Sequence, residues 1–372
     1  MDKVFSDKIN ILKALAILVV VSGHLEFSLI PMFPPYSFQV ILFFFIAGMV
    51  FKPKYSFFEF IKKRTKSLMV PYFLYAVFYL MLTIALTPLI GKFWGMPVTL
   101  KNEFLMPFLT GHQLDLISPL WFVPQLFITL IVYKVFSFIR CNEYIKTAIF
   151  LTFALFAIQL GQLRENLYVL LLLRTMFSLL FVHLGYLYRL HFEKSIKNDD
   201  VKQGQFNLFS YKIFFFVITL QSLLWLTNKD FTPADGIGLS FILVWGEFDN
   251  WIVPIITSLT GIWTSLFLVE IFYEKVKNWG FLQKIGQNTY HIMANHLIVF
   301  NIITYSFLAL KGISFDVKNG ADIYWFYYPL KTTYFYFAAG IFATTYMGEF
   351  LKKTKAKIQN LKKGNKKISF GL

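Results

Sequence analysis

Residues 9–28 read INILKALAILVVVSGHLEFS, a run dominated by Ile, Leu, Val and Ala with one lysine, one histidine and one glutamate. Coiled as a helix, such a run is about 30 Å long, the thickness of a bilayer's hydrocarbon core. Lys3 and Lys8 precede it like the head of a signal sequence. No small-x-small cleavage site follows before His24 and Glu26, so the segment is expected to stay as a first transmembrane helix.

Comparable apolar runs recur at 36–52, 67–90, 119–139, 146–161, 167–190, 211–228, 251–273, 289–310 and 325–350. Composition agrees. The chain is 57% hydrophobic and only 15% charged, whereas soluble domains carry about 25% charged residues. A further apolar piece, Ile237 to Gly246, is too short to cross and reads as interfacial or re-entrant. The expected fold is all-α, a polytopic membrane helix bundle of about ten transmembrane helices.

A net charge of +16 could signal nucleic acid, so the placement of the basic residues has to decide. With the N-terminus inside, the inner connections hold 26 Lys and Arg and the outer ones six (Lys92, Lys101, Arg164, Lys229, Lys311 and Lys318). That asymmetry is the positive-inside rule, with both termini cytoplasmic in a bacterial inner (plasma) membrane. Nucleic acid is not an expected partner; membrane lipids are. The tail from Lys352 to Lys367 has eight lysines and no acid, which suits a topology anchor or contact with an anionic leaflet. Cys141 is the sole cysteine, which excludes an intramolecular disulfide and any cysteine-based zinc or redox motif.

Ionisable groups inside spans are costly and call for a partner or a purpose. They are Lys13, His24, Glu26, Lys134, Arg174, His183, Glu270, His291 and His296. Lys13 and His24 are eleven residues apart, about three helical turns, and so share one face with an axial separation of about 16 Å. A long thin ligand could bridge them. Acyl-CoA entering from the cytoplasm fits, its phosphates on Lys13 and on Lys62, Lys63, Arg64 and Lys66, its thioester at His24. A neutral imidazole there could take a proton from an attacking hydroxyl and return it to the leaving thiolate. The structural alternatives are a helix–helix hydrogen bond for His24 and snorkelling to the interface for Lys13.

The segments ILKALAILVVVSGH (11–24), FFFIAGMVF (43–51), KRTKSLMVPYF (63–73), PLWFVPQLF (119–127) and IGQNTYHIMANHL (285–297) together resemble the acyltransferase-3 family in order and spacing. These are multi-span O-acyltransferases that modify surface sugars. The resemblance implies a catalytic His24 and a donor-binding role for Lys13, which stands where the family usually has arginine; the lysine form resembles the fucose-acetylase-like branch. A second family feature, two arginines three apart before the third span, is met by Arg64 alone, with Ser67 at the other place and Lys66 beside it. His296 matches a polar position common in the family, and His183 replaces a usual aromatic and reads as packing. The implied organisation is a transmembrane acyltransferase domain over 1–350 and a basic tail over 351–372.

Arg174 must face a polar cavity or a carboxylate such as Glu26, where it could position acceptor or donor. Glu270 is expected to pair with Lys275. His291 and His296 lie about 140° apart around a helix and form no i, i+4 metal pair, so no metal is expected. Asp115, Asp235, Glu247 and Asp249, beside Trp121, Trp245 and Trp251, suit either sugar binding or an aromatic belt. No Walker loop, Rossmann fingerprint, G-x-S-x-G elbow or H-E-x-x-H is present.

The reading is an O-acyltransferase, expected to be an acetyltransferase, moving the acyl group from acetyl-CoA to a polysaccharide or lipid-linked glycan. No bound cofactor is expected. His24 would be catalytic, Lys13, Arg64 and Lys66 would hold the donor, and Glu26, Arg174, Trp121 and His296 would serve the acceptor or support the site. The alternative from another class is a glycan transporter or flippase, against which stands the lack of repeated halves and of helices broken at midplane.

Overall fold

The computed structural model describes residues 3–197, 209–227, 239–248, 251–312 and 329–368. Its helices are α1 (Lys3–Gly23), α2 (Gln39–Met49), α3 (Phe57–Arg64), α4 (Val70–Ile90), α5 (Met106–Leu109), α6 (Phe122–Phe136), α7 (Glu143–Leu160), α8 (Leu167–Lys197), α9 (Tyr211–Thr227), α10 (Val253–Val276), α11 (Gly280–Gln287), α12 (Thr289–Lys311) and α13 (Pro329–Ile368). Among the described residues the only strand-like pairings are the isolated bridges Gly95–Leu114 and Ile242–Glu247.

Among the described residues, six helical stretches are long and apolar enough to cross a membrane: Phe57–Pro88, Asp115–Phe136, Glu143–Leu163, Leu167–His191, Val253–Val276 and Thr289–Lys311. A membrane helix bundle accounts for them, because a helix satisfies its own backbone where lipid offers no partners. α1 and α2 are the central pair. Side chains from every side of α1, from Phe5 and Ile9 to Val21, are buried, as are ten of the eleven residues of α2. A helix apolar and buried all round belongs to the interior of a bundle.

α2 and α8 cross at a pair of glycines. A Cβ on Gly48 would collide with the carbonyl of Val182, and one on Gly185 with the carbonyl of Phe45. Each helix thus presses its backbone into the other's glycine, the close approach that small residues permit in membrane bundles. α11 meets α1 the same way, Gly286 lying on the Asn10 carbonyl.

The structure departs from the sequence reading in the second half of the first span and at the head of the second. The helix expected over 9–28 ends at Gly23, and the one expected from 36 begins at Gln39. At about 1.5 Å per residue, α2 is roughly 17 Å long, too short to cross alone. Pro34 and Pro35 lack the amide protons that a helix start or strand would use. The connector's polar backbone is answered from elsewhere: Gln39 Nε2 and Ser37 Oγ donate to the Pro34 carbonyl (2.8 and 2.7 Å), Gln221 Nε2 to Met32 (2.8 Å) and the Phe241 amide to Tyr36 (2.8 Å).

The apolar piece at 237–246 is described from Leu239 onward. It is a tight turn closed by the Ile242–Glu247 bridge, with Leu239, Phe241 and Leu243 buried. Residues 239–248 therefore form an insertion into the bundle rather than a helix through it. α13 continues without a break from Pro329 to Ile368, so no helix boundary separates 350 from 351. The expected start of the last span at 325 lies outside the described residues, as do Asp235 and Asp249.

Candidate active site

His24 stands directly after Gly23, at the C-terminal end of α1. Its amide still bonds the Val20 carbonyl (3.2 Å); then the Phe27 amide reaches back to Ser22 (3.2 Å) and the Glu26 amide to Gly23 (3.1 Å). Those two bonds, five and three residues back, with Glu26 at φ 59°, make a Schellman ending in which glutamate occupies the left-handed position usually given to glycine. Met32 (φ 66°) and Tyr36 (φ 59°) are also left-handed. Each such residue costs about 1 kcal/mol or more, so the connector holds three strained positions within eleven residues, two of them on the cavity wall.

That wall encloses about 790 Å³ and takes in the ends of several elements. α1 and the residue after it supply Val19, Val20, Gly23 and His24; the connector and the head of α2 supply Glu26, Tyr36, Ser37 and Gln39. The segment before α6 adds His112, Asp115 and Trp121, the 239–248 turn adds Phe241 to Trp245, and Lys92 and Met293 complete the polar and apolar sides. His24 is half-buried at this wall. Its ring meets Tyr36 edge-on at 6.0 Å and His296 at 5.0 Å between centroids.

Of the residues expected to act, the cavity brings together His24, Glu26 and Trp121. His296 lies directly behind His24, fully buried on α12, with Nδ1 2.9 Å from the Ile292 carbonyl. The donor candidates sit elsewhere. Lys13 is half-buried and donates to Asn10 Oδ1 (3.3 Å) beside α11. Arg64 lies over the Phe60 ring at 5.2 Å, and Lys66 is exposed in a π-helical turn, Thr65–Met69, that joins α3 to α4.

Arg174 faces carbonyls, not the carboxylate of Glu26. It is 1% exposed, donates from Nη1 to Leu109 (3.1 Å) and from Nη2 to Val244, and covers Trp121 at 5.4 Å. A guanidinium's planar fork can reach two carbonyls at once, which joins the two loops that carry His112 and Trp245. The His112 and Trp245 rings stack, 4.7 Å apart and 11° from parallel. Gly111, at φ 77°, has no room for a side chain because the Trp121 backbone and Cβ occupy that place. Burial, then the charge of Arg174, pushes the His112 imidazole down to about 4.

The remaining ionisable groups resolve into pairs. Glu270 is bound by Lys8 (2.6 Å) from α1 rather than by Lys275, which stands five residues on and about 140° around the helix. His183 does more than pack: Nδ1 meets Tyr133 Oη (3.1 Å) and Nε2 meets Thr147 Oγ1 (3.1 Å). Lys134 donates to the Pro53 carbonyl (2.7 Å), and His291 Nδ1 meets Tyr75 Oη (2.6 Å). Among the described residues no three His, Cys, Asp or Glu side chains gather as a metal site would require.

Sequence reasoning missed His112, Tyr36, Ser37, Gln39 and Lys92. His112 and Lys92 lie in connections where no span cost marks them, and the Pro34-Pro35 pair was the sole local sign that the chain folds back at Tyr36. A family model described as an acyltransferase domain, that of the acyltransferase-3 family, matches residues 6–348. No curated protein and no solved structure matches the chain.

Proposed function

The chain belongs to the acyltransferase-3 family, and from that premise we propose that it is a membrane O-acyltransferase moving an acetyl group from acetyl-CoA to a hydroxyl of a surface polysaccharide or lipid-linked glycan. The observation that carries this reading is His24, the end of a buried helix turned into a cavity of about 790 Å³ within the matched domain. Charge asymmetry supports ten spans, α1, α2 together with the connections at its two ends, α4, α6–α10, α12 and α13, with both termini cytoplasmic in a bacterial inner membrane. The lysine at position 13 supports the fucose-acetylase-like branch.

In this mechanism His24 takes the proton from the acceptor hydroxyl as the oxygen attacks the thioester carbon. The carbon–sulfur bond then breaks, and the proton passes to the departing thiolate. The imidazolium formed on the way stands at the C-terminal end of α1, where the macrodipole favours a cation. Lys13, Arg64 and Lys66 would hold the phosphates of the donor on the cytoplasmic side. The acceptor sugar would enter from the opposite side, among Trp121, Trp245 and the carboxylates of Glu26 and Asp115, with aromatic faces for its C–H edges and oxygens for its hydroxyls.

The test is transfer of label from acetyl-CoA to glycan in membranes that contain this protein alone. Wild-type protein should transfer it and His24→Ala, folded and inserted, should not. Undiminished transfer by His24→Ala would overturn the mechanism. Lipid-linked sugar crossing the bilayer without label would make the protein a transporter instead.

A further inference from the structure

His296 has one hydrogen-bonding atom committed and one open. Its Nδ1 lies 2.9 Å from the carbonyl of Ile292, one turn back on α12. A carbonyl only accepts, so Nδ1 carries the proton and Nε2 of the neutral ring is left as a pure acceptor. That Nε2 is buried and has no hydrogen-bond partner among the described residues. An acceptor left so in the interior costs about 1–3 kcal/mol, which calls for a purpose.

The rings around it show what it can serve. One is Phe300, edge-on at 5.6 Å between centroids, which offers no donor. Another is His24, at 5.0 Å and tilted by 36°. The neutral His24 ring carries one N–H, and centroids 5.0 Å apart leave room for one water to bridge it to Nε2. We propose that His296 is the positioning residue of His24: its Nε2 accepts one imidazole N–H of His24 through a bridging water, so that the other His24 nitrogen faces the cavity as the base.

The arrangement has the logic of a catalytic triad, in which a third group orients the base and steadies its protonated form. Here that group is a second, neutral histidine whose own proton is tied to the helix backbone. A neutral acceptor sets the tautomer of His24 and strengthens its bond when His24 takes the hydroxyl proton. It brings no second charge into the interior, where an unpaired charge would be costly. No covalent step involves His296 itself.

This inference rests on the acyltransferase reading, and the two fail separately. The experiment compares His296→Gln, whose side-chain oxygen can stand near the Nε2 position, with His296→Leu, which fills similar space without an acceptor. Both are purified in detergent, checked for wild-type elution and melting, and assayed for acetyl-CoA turnover with glycan. Loss of the acceptor should lower kcat by about 10²-fold in the leucine variant, with KM for acetyl-CoA and for glycan within twofold, while glutamine stays within about tenfold of wild type. Equal kcat in the two variants, with His24→Ala inactive, would overturn the positioning role and leave the acyltransferase reading intact. Equal activity of wild type and His24→Ala would overturn both.

Discussion

His112 and Trp245 stack face to face at the cavity wall, 4.7 Å between centroids and 11° from parallel. The histidine half of the pair titrates far from its ordinary range, pushed from 6.5 down to about 4 by burial and by Arg174. Between those pH values the unfolded chain binds a proton that the folded one does not. The stability tied to neutral His112 is therefore whole above pH 6.5 and is lost as pH falls toward 4, by an amount on the order of 3 kcal/mol. Melting in detergent from pH 7 to 4 should lower Tm more for wild type than for His112→Phe, which keeps a ring and removes the titrating group. Parallel curves would refute the linkage.

Arg174 ties Leu109 and Val244, and through them the loops of His112 and Trp245. Arg174→Lys keeps the charge and loses the fork, so one of the two carbonyls goes unanswered. Arg174→Met leaves both unanswered and should cost about 2–5 kcal/mol. Limited proteolysis should cut the 239–248 turn faster in lysine than in wild type, and faster still in methionine. Equal cutting in all three would show that the arginine does not hold the turn.

At the α2–α8 crossing, a methyl group on Gly48 or Gly185 meets a backbone carbonyl that has no rotamer by which to yield. Gly48→Ala and Gly185→Ala should each destabilise the bundle by about 1–3 kcal/mol, and leucine at either place should prevent folding. Gly280, where a Cβ meets nothing within 4 Å, is the control: Gly280→Ala should melt as wild type does. Size-exclusion profiles and Tm in detergent decide it.

Cys141, half-buried in the connection between α6 and α7, reports topology without any engineering. In the proposed topology it belongs to the basic, inner set of connections. A membrane-impermeant maleimide should leave it unlabelled in intact cells and label it in inverted vesicles. Labelling from outside would reverse the proposed orientation and with it the side from which the proposed donor would reach the protein.

Much of this was legible along the chain because helices crossing lipid must be long and apolar, and that constraint writes itself into composition. The α6, α8, α10 and α12 stretches lie close to where their apolar runs placed them. His24 and Glu26 stood out because they are ionisable inside such a run. His112 did not, since a histidine in a connection violates nothing. Nearness along the chain points Glu270 to Lys275, five residues on, but Lys8 is 262 positions away in the chain and close in space.

The sequence by itself determined a helical membrane protein, its family and the residue at the end of its first helix, because apolar length, charge asymmetry and ordered motifs are local properties. Tertiary structure alone decided that the first helix stops at Gly23, that Glu26, Met32 and Tyr36 turn left-handed, and that Arg174 binds carbonyls. It alone set His296 behind His24. Those outcomes depend on which backbone atoms are left unanswered when distant segments pack, and no window of sequence contains both partners.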